Sequence, residues 1–489
     1  MNIDKDNNFS DWYNTILKEA ELCDLRYNIK GFIVVMPWAM KSIDIIYKNY
    51  DEELEKTGHS SAFFPALVHE KSFGAEKEHV KGFIPEVFWI TEVGDKKLEE
   101  RYALKPTGEA CIYPMYALWV NGISDLPIKI YQKGCVWRHE TKATKPFIRG
   151  REFLWIETHN VFANNENAKN QIVEDAILTK KIVWERLGIP YIIFKRPQWD
   201  KFPGASDTFA VDTLMPDGKV LQVASTHLLG QHFSTAYNIK YINEKNESEY
   251  AWQTCYGPGI SRIYVTMLSL HGDNSGLVLP VEIAPVQIVI IPIIKKGNEE
   301  KVIAFAKEIQ KKISKNFRAH LDLRDQTPGS KFNYWEMKGV PIRIEIGERD
   351  IAEDSVVIVT RDNKKKESVK IADMENAIFD AARSLNKRLS AKSSERFIKS
   401  LDSAENCEEM IKKIGQGKIV KVAFCTDQIE GEKCANELKE KYSCDARGTM
   451  FSFFNSDKCE FESSDVPNDK KCVNCGKPAN IFMYFARQY

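Results

Sequence analysis

Residues 135–162 read CVWRHETKATKPFIRGREFLWIETHNVF, a strand-like apolar run crowded with charge. Val136, Phe153, Trp155 and Val161 are the residue types that fill a sheet, yet Arg138, Glu140, Arg149, Arg151, Glu152, Glu157 and His159 sit among them. Successive strand residues point to opposite faces, so Phe153, Trp155, Glu157 and His159 project together. That face is aromatic at one end and ionic at the other. It suits a small zwitterion or a nucleotide, because a purely structural strand would put its charges on the face opposite its aromatics. The intervening HETKATKPFIRG has Lys, Thr, Pro and Gly in loop-forming density. The expected arrangement is strand, loop, strand, with Arg138 and Glu140 on the first strand and Arg149 closing the loop. The competing reading is a surface hairpin whose charges are merely solvated.

Flanking segments carry matching chemistry. In RYALKPTGEACIYPMYALWV, residues 101–120, Thr107 and Glu109 lie in a Pro/Gly turn between a strand around 102–104 and a helix beginning near Ala110. A hydroxyl beside a carboxylate makes a receptor for an ammonium group, although helix capping by Thr107 is the simpler role. In VLQVASTHLLGQHFS, residues 220–234, Gln222, Ser225 and His227 sit at a strand end, where polar side chains line clefts. YGPGISRIYV, residues 256–265, opens an apolar helix with Arg262 in its first turn, against the helix dipole, a position that invites an anion. The spacing of Gly257, Gly259 and Arg262 is not the dinucleotide fingerprint, and no P-loop occurs in the chain. Near the start, residues 9–28 read as an amphipathic helix capped by Ser10 or Asp11. SSAFFPALV, residues 60–68, reads as a strand whose Pro65 confines it to a sheet edge or a dimer seam.

With 489 residues the chain is expected to form two or three domains. From residue 283 the texture changes. Strands near 286–294, 318–324, 340–347 and 355–361 alternate with helices near 298–315, 330–338 and 373–390, which predicts a small, largely parallel α/β domain. Its exposed-looking SKFNYWEMKG interleaves Lys331, Trp335 and Lys338 with further aromatics. Such a mixture suits unstacked RNA bases, or else an amphipathic helix lying on its sheet. RDNKKKES, residues 361–368, reads as a solvated turn.

Lys plus Arg equals Asp plus Glu at 69 each, so bulk charge predicts no polyanion partner, and a nucleic-acid surface has to be a local patch. No run approaches the roughly 18 apolar residues of a membrane span, and MNIDKDNNFSDW lacks the apolar core of a secretory signal. A soluble, cytoplasmic protein is expected. Seven of the eleven cysteines follow residue 400, a distribution that points to metal rather than to a disulfide scaffold. Cys472 and Cys475 form a Cys-x-x-Cys half-site for zinc; Cys425 and Cys434 are the expected second half, with Cys444 and Cys459 as alternatives.

Together these segments resemble the class II aminoacyl-tRNA synthetases, and among them the prolyl-tRNA synthetases of archaeal and eukaryotic type, from about residue 9 to Tyr489. SSAFFPALV resembles the dimer-forming first class motif, WRHETKATKPFIRGREF the second, and YGPGISRIYV the third. LKPTGEACIYP resembles the proline-specific TxE loop, and FLWIETHNVF the strand that walls the amino-acid pocket. The resemblance implies an α+β/α/β multidomain protein. Its parts would be an antiparallel-sheet catalytic domain over 1–284, an α/β anticodon-binding domain over 285–390 and a small α+β zinc-binding domain over 391–489.

It implies a homodimeric proline–tRNA ligase that uses L-proline, ATP with Mg2+, and tRNA(Pro), with structural Zn2+ in the C-terminal domain. Arg138 and Arg262 would be the catalytic arginines, on the α- and γ-phosphates. Glu140, Arg149, Phe153, Gln222 and Ser225 would complete the ATP site, with Phe153 stacked on adenine. Thr107 and Glu109 would accept the N–H groups of prolinium, and Arg138 would meet its carboxylate. Trp155, Glu157, His159, His227 and Cys255 would shape the pocket. The sequence departs from many relatives at Cys255 and Tyr256, where Ser and Trp are common, and in a longer GPGISR turn. The short span between the second and third motifs leaves no room for the editing insertion of bacterial-type enzymes. A threonyl-type ligase would need a zinc-dependent amino-acid pocket, and the cysteines of the catalytic part look scattered. A catalytically silent paralogue would have no need of Arg138, Glu140, Arg149 and Arg262 together.

Overall fold

The computed structural model describes residues 3–73, 87–295, 297–462 and 465–489. Its centre is an eleven-stranded sheet. Starting from the edge strand Ser60–Ser61, the order runs through Ile128–Trp137, Glu152–Phe162, Trp252–Pro258, Val220–Gly230, Asp207–Leu214 and Ile192–Lys195. It then continues into Asp445–Phe453, Ile481–Ala486, Ile419–Phe424 and Leu401–Ser403. Only the pairs at the two ends are parallel. The register between Ile128–Trp137 and Glu152–Phe162 is unbroken from Ile128 opposite Val161 to Trp137 opposite Glu152. Phe153, Trp155, Glu157 and His159 therefore do share one face.

The expected strand, loop, strand holds, with one correction. The first strand ends at Trp137, so Arg138 and Glu140 stand in the loop. The first helix is shorter than expected, Phe9–Glu19, and its cap is Asn8, whose side chain accepts from the Asp11 amide. It stops because Glu21, at φ 52°, turns the chain away. SSAFFPALV is not one strand. Ser60–Ser61 and Leu67–His69 pair with different sheets, and Pro65 lies between them, where no ladder donor is needed. Helix Pro37–Lys56 begins with its proline in the first turn, where the missing N–H costs nothing.

The second sheet has five strands. Ala319–Leu321, Ile288–Pro292 and Ile342–Ile346 are parallel, but Ser355–Thr360 and Lys366–Lys370 are antiparallel, so the sheet is mixed rather than largely parallel. RDNKKKES is more than a solvated turn. Lys366–Lys370 is a strand, and Arg361 is buried against Asp273 through two 2.7 Å bonds that tie this sheet to the part of the chain that builds the main sheet. The exposed reading of SKFNYWEMKG is corrected too. Lys331, Trp335 and Lys338 are all buried. The Lys331 ammonium donates to the Asp322 carbonyl at 3.1 Å, and Trp335 Nε1 donates to the Asp322 carboxylate at 2.8 Å. The Lys338 ammonium donates to the Ala20 carbonyl at 2.8 Å and pairs with Glu21. Helix Pro328–Lys338 packs these side chains inward, which leaves them nothing to offer RNA. Helix Met374–Lys399 is unbroken, so the expected boundary at residue 390 falls inside it.

Beyond that helix the remaining strands join the main sheet. Asp445–Phe453 pairs antiparallel with Ile192–Lys195. The close approach requires Gly448, at φ 118°, because a Cβ there would lie 2.0 Å from the Lys195 carbonyl oxygen. Among the described residues, no helix is long and apolar enough to cross a membrane.

Candidate active site

Strand register builds the floor of the site. His159 stands opposite Cys255, Cys255 opposite His227, and His227 opposite Thr208, one row across four strands. One step along, Gln132 stands opposite Glu157, and Gly257 opposite Ser225. Over the second row lies a cavity of about 270 Å³ walled by Arg138, Phe153, Trp155, Gln222, Ser225, His227 and Arg262. Seven of the expected residues are thus brought together.

At its aromatic wall the Phe153 and Trp155 rings are 5.6 Å apart, nearly perpendicular, and the Arg138 guanidinium lies over both at 5.4 and 5.7 Å. Arg138 Nε donates to the Pro106 carbonyl at 3.0 Å, which ties it to the turn that presents Thr107. A Cβ on residue 257 would meet Trp155 at 3.1 Å, so glycine there lets the indole lie flat on the strand. Across the cavity, Arg262 leaves the first turn of helix Ile260–His271. Its Nε donates to the Ile148 carbonyl at 2.9 Å and its Nη1 to the Gln222 carbonyl at 3.0 Å. Burial, and then the charges of Arg138 and Arg149, lower its pKa to about 10, so it remains a cation at neutral pH in a position that rewards an anion.

Beneath the cavity is a second, drier receptor. Thr107, Glu109, Glu157, His159 and Cys255 are all buried. The single Thr107 hydroxyl lies 2.5 Å from Glu109 Oε2 and 2.7 Å from Glu157 Oε1, and it has one proton for two carboxylates. Glu157 also accepts from the Gly108 amide at 3.0 Å and the Gln132 amide at 3.1 Å. Burial raises the Glu157 carboxyl, but contact with His159 and these donors outweigh it and hold the group ionised. A cationic N–H₂ group placed between the two carboxylates would meet opposite charge and hydrogen-bond acceptors together.

Thr107 does not cap the helix. Glu109–Trp119 starts one residue after Gly108, which makes no side-chain cap, and the Glu109 carboxylate sits favourably at the positive end of the helix. His159 Nδ1 is 3.0 Å from the Tyr113 hydroxyl. His227 is held by Thr208 and Ser225, each at 3.0 Å; burial, then the charges of His159 and Arg138, push its pKa down to about 3, so it is neutral.

Gly108 has no room for a side chain. A Cβ there would lie 2.5 Å from Glu157 Oε2 and 2.8 Å from His159 Nε2. Gly108→Ala is expected to displace Glu157 and His159 and, on the expectation from sequence that they wall an amino-acid pocket, to raise the KM for the amino acid about 10- to 100-fold, with a smaller effect on the KM for ATP. Steady-state kinetics with each substrate varied in turn checks this.

Glu140 and Arg149 are not in this cavity. Arg149 lines a neighbouring one of about 340 Å³ behind Phe153, donates to the Tyr489 carbonyl at 2.7 Å, and lies 3.9 Å from Glu140. Sequence reasoning also missed Gln132, Arg196, Arg447 and Gln488. The last three reach the cavity wall because Arg196 and Arg447 both pair with the fully buried Asp212, and Arg447 also meets Gln488. No local spacing signals a contact between residues so far apart in the chain. Cys255 lies against Glu109 and His159, a grouping of possible metal ligands that the cysteine spacing did not signal.

In the final part of the chain, the sulfurs of Cys425, Cys434, Cys472 and Cys475 all lie within 4.8 Å of one another. Cys444 is turned elsewhere, toward the Leu438 carbonyl, and Cys459 packs against the main core. Four thiols with no carboxylate or imidazole among them fit a closed tetrahedral zinc site.

Three family profiles match the chain. They are described as "tRNA synthetase class II core domain (G, H, P, S and T)" over residues 88–271, "Anticodon binding domain" over 287–396, and "Prolyl-tRNA synthetase, C-terminal" over 407–489. The proline–tRNA ligase of Thermofilum pendens is 44% identical over 493 aligned positions, covering 100% of this chain and 99% of that protein. That of Methanopyrus kandleri is 38% identical, covering 98% and 96%. The solved Giardia lamblia prolyl-tRNA synthetase in complex with prolyl-adenylate superposes with a TM-score of 0.94 at 36% identity, over 100% of both chains.

Proposed function

The chain belongs to the prolyl-tRNA synthetases, and on that premise we propose how its residues divide the activation of L-proline by ATP and the transfer of the prolyl group to tRNA. The observation that carries the reading is a pair of buried carboxylates, Glu109 and Glu157, sharing one hydroxyl proton directly beneath a cavity walled by arginines. Prolinium brings two N–H donors to those carboxylates. Its own carboxylate then faces Arg138, and its ring the walls formed by Trp155, His159, His227 and Cys255.

The carboxylate is already an anion, so attack on the α-phosphate needs no general base. Catalysis rests on alignment and on neutralising charge. Arg138 screens the approach of carboxylate to phosphate, Phe153 offers a face to adenine, and Arg262 takes the charge of the departing pyrophosphate. Magnesium would enter with ATP; Gln222, Ser225 and Asp200 line the cavity and would be the residues to hold a hard, partly hydrated cation, which would supply positive charge against the phosphates. In the second step a ribose hydroxyl of tRNA attacks the prolyl carbonyl, the hydroxyl proton is lost to the departing phosphate or solvent, and AMP leaves. His227, neutral and locked by Thr208 and Ser225, serves to shape the pocket.

The test is amino-acid-dependent ATP–pyrophosphate exchange without tRNA. Proline is expected to dominate. Alanine, lacking two of proline's ring methylenes, is expected to follow at a kcat/KM lower by about 10²- to 10⁴-fold, and threonine to be poorer still. Well-folded, magnesium-supplied protein that exchanges with no amino acid would sink the reading.

We assign zinc to Cys425, Cys434, Cys472 and Cys475 as a structural site. Stripping it with a chelator is expected to lower the melting temperature by several degrees and release about one zinc per chain, as measured by elemental analysis and calorimetry. A homodimer through the Ser60–Ser61 edge is supported by the apolar surface beside it, where Phe63 is 88% exposed and Leu118 69%. Work in the cytoplasm fits eleven cysteines that are all free thiols.

A further inference from the structure

Glu109, His159 and Cys255 each offer a ligand atom to one point, with all three atoms within 4.8 Å of one another. From this we infer that the amino-acid pocket is also a binding site for a thiophilic divalent cation, zinc or cobalt, which excludes proline when it is bound. One carboxylate, one imidazole and one thiol are the donor types of three-ligand zinc sites that keep a fourth position open. Magnesium and calcium prefer all-oxygen ligation and are disfavoured here.

The three donors are fixed before any metal arrives. His159 and Cys255 are register partners on adjacent strands, and Glu109 is on the first turn of its helix. None is more than 3% exposed. The outer contacts are those that orient metal ligands elsewhere: the Tyr113 hydroxyl lies on His159 Nδ1 at 3.0 Å and the Thr107 hydroxyl on Glu109 at 2.5 Å. His159 Nε2 is buried and stands 3.7 Å from Glu157.

Charge points the same way. Two buried carboxylates, Glu109 and Glu157, meet at the Thr107 hydroxyl, and their paired negative charge favours a cation. Prolinium brings one positive charge; a divalent metal brings two, and also takes the sulfur. As the metal–sulfur bond forms, the Cys255 thiol releases its proton to solvent. The pocket is therefore distinct in kind from the closed four-cysteine cluster, which has no carboxylate to receive an amino acid.

The experiment uses full-length protein with zinc already in the four-cysteine cluster, titrated with cobalt and read by thiolate-to-cobalt absorption. A further equivalent of cobalt is expected to give a thiolate band that saturating proline abolishes and that Cys255→Ser lacks. In parallel, free zinc buffered at about ten times its dissociation constant is expected to raise the apparent KM for proline about tenfold and leave kcat unchanged. A band that survives in folded Cys255→Ser protein, or that proline does not displace, overturns the inference, as does inhibition that lowers kcat at constant KM. Should the serine variant fail to fold, displacement by proline in the unaltered protein decides the matter. The competition rests on reading the pocket as the proline receptor, but the Cys255-dependent band does not. Absent proline exchange therefore refutes that reading separately from the metal site.

Discussion

Arg262→Ala is expected to slow proline-dependent ATP–pyrophosphate exchange about 10³-fold with little change in melting temperature. Two backbone carbonyls, of Ile148 and Gln222, orient the guanidinium, so its remaining N–H groups are aimed before ATP binds. The group is held in an unfavourable place, in the first turn of a helix and near two other arginines whose charges help to lower its pKa. Removing it relieves that repulsion, which offsets the two lost hydrogen bonds and keeps the fold. What disappears is a preorganised cation where the pyrophosphate charge develops. Arg262→Lys is expected to recover only part of the rate, because an ammonium cannot hold both carbonyls and a phosphate in one plane. An alanine variant that exchanges within a few-fold of the parent would remove Arg262 from the mechanism.

The largest effect on stability is expected from Asp212→Ala. Asp212 is fully buried and carries two guanidinium groups, with Arg196 Nη2 at 2.9 Å and Arg447 Nε and Nη2 at 2.9 and 2.8 Å. Burial and then repulsion from Arg447 already lower the pKa of Arg196, despite the carboxylate between them. Without Asp212, two buried cations face each other with only Asp200, 3.8 Å from Arg196, left to oppose their charge, a loss of about 3–5 kcal/mol. Both arginines line the cavity proposed for ATP, so the KM for ATP should rise as well. Asp212→Asn, which keeps one acceptor oxygen, is expected to lose less. Denaturant unfolding of the three proteins measures the difference, and equal stability of parent and alanine variant would refute the role.

Much of the site was readable where chemistry follows a local period. The two-residue alternation from Phe153 to His159 marks one face of a strand, and the register with Ile128–Trp137 keeps it so. Arg262 could be read from its place at a helix start. Helix Pro328–Lys338 misled because cations among aromatics look the same whether they face RNA or a neighbour's carbonyls; burying Lys338 takes the Ala20 carbonyl and Glu21, far away in the chain. The Asp212 cluster was invisible for the same reason, since Arg447 lies 235 residues away. Arg138 and Glu140 read as strand because Val136 and Trp137 are strand-like up to the point where the ladder stops.

The seam between Ile192–Lys195 and Asp445–Phe453 bears on how the molecule comes apart. Two regions joined by a backbone ladder, bulged between Met450 and Ser452, cannot melt independently without exposing unpaired amides, so protection against hydrogen exchange should extend from the strands beneath the arginine-walled cavity to those beside the thiol cluster. Calorimetry should then record one cooperative transition for these two regions, and loosening the cysteine cluster should be felt at the ATP cavity some distance away.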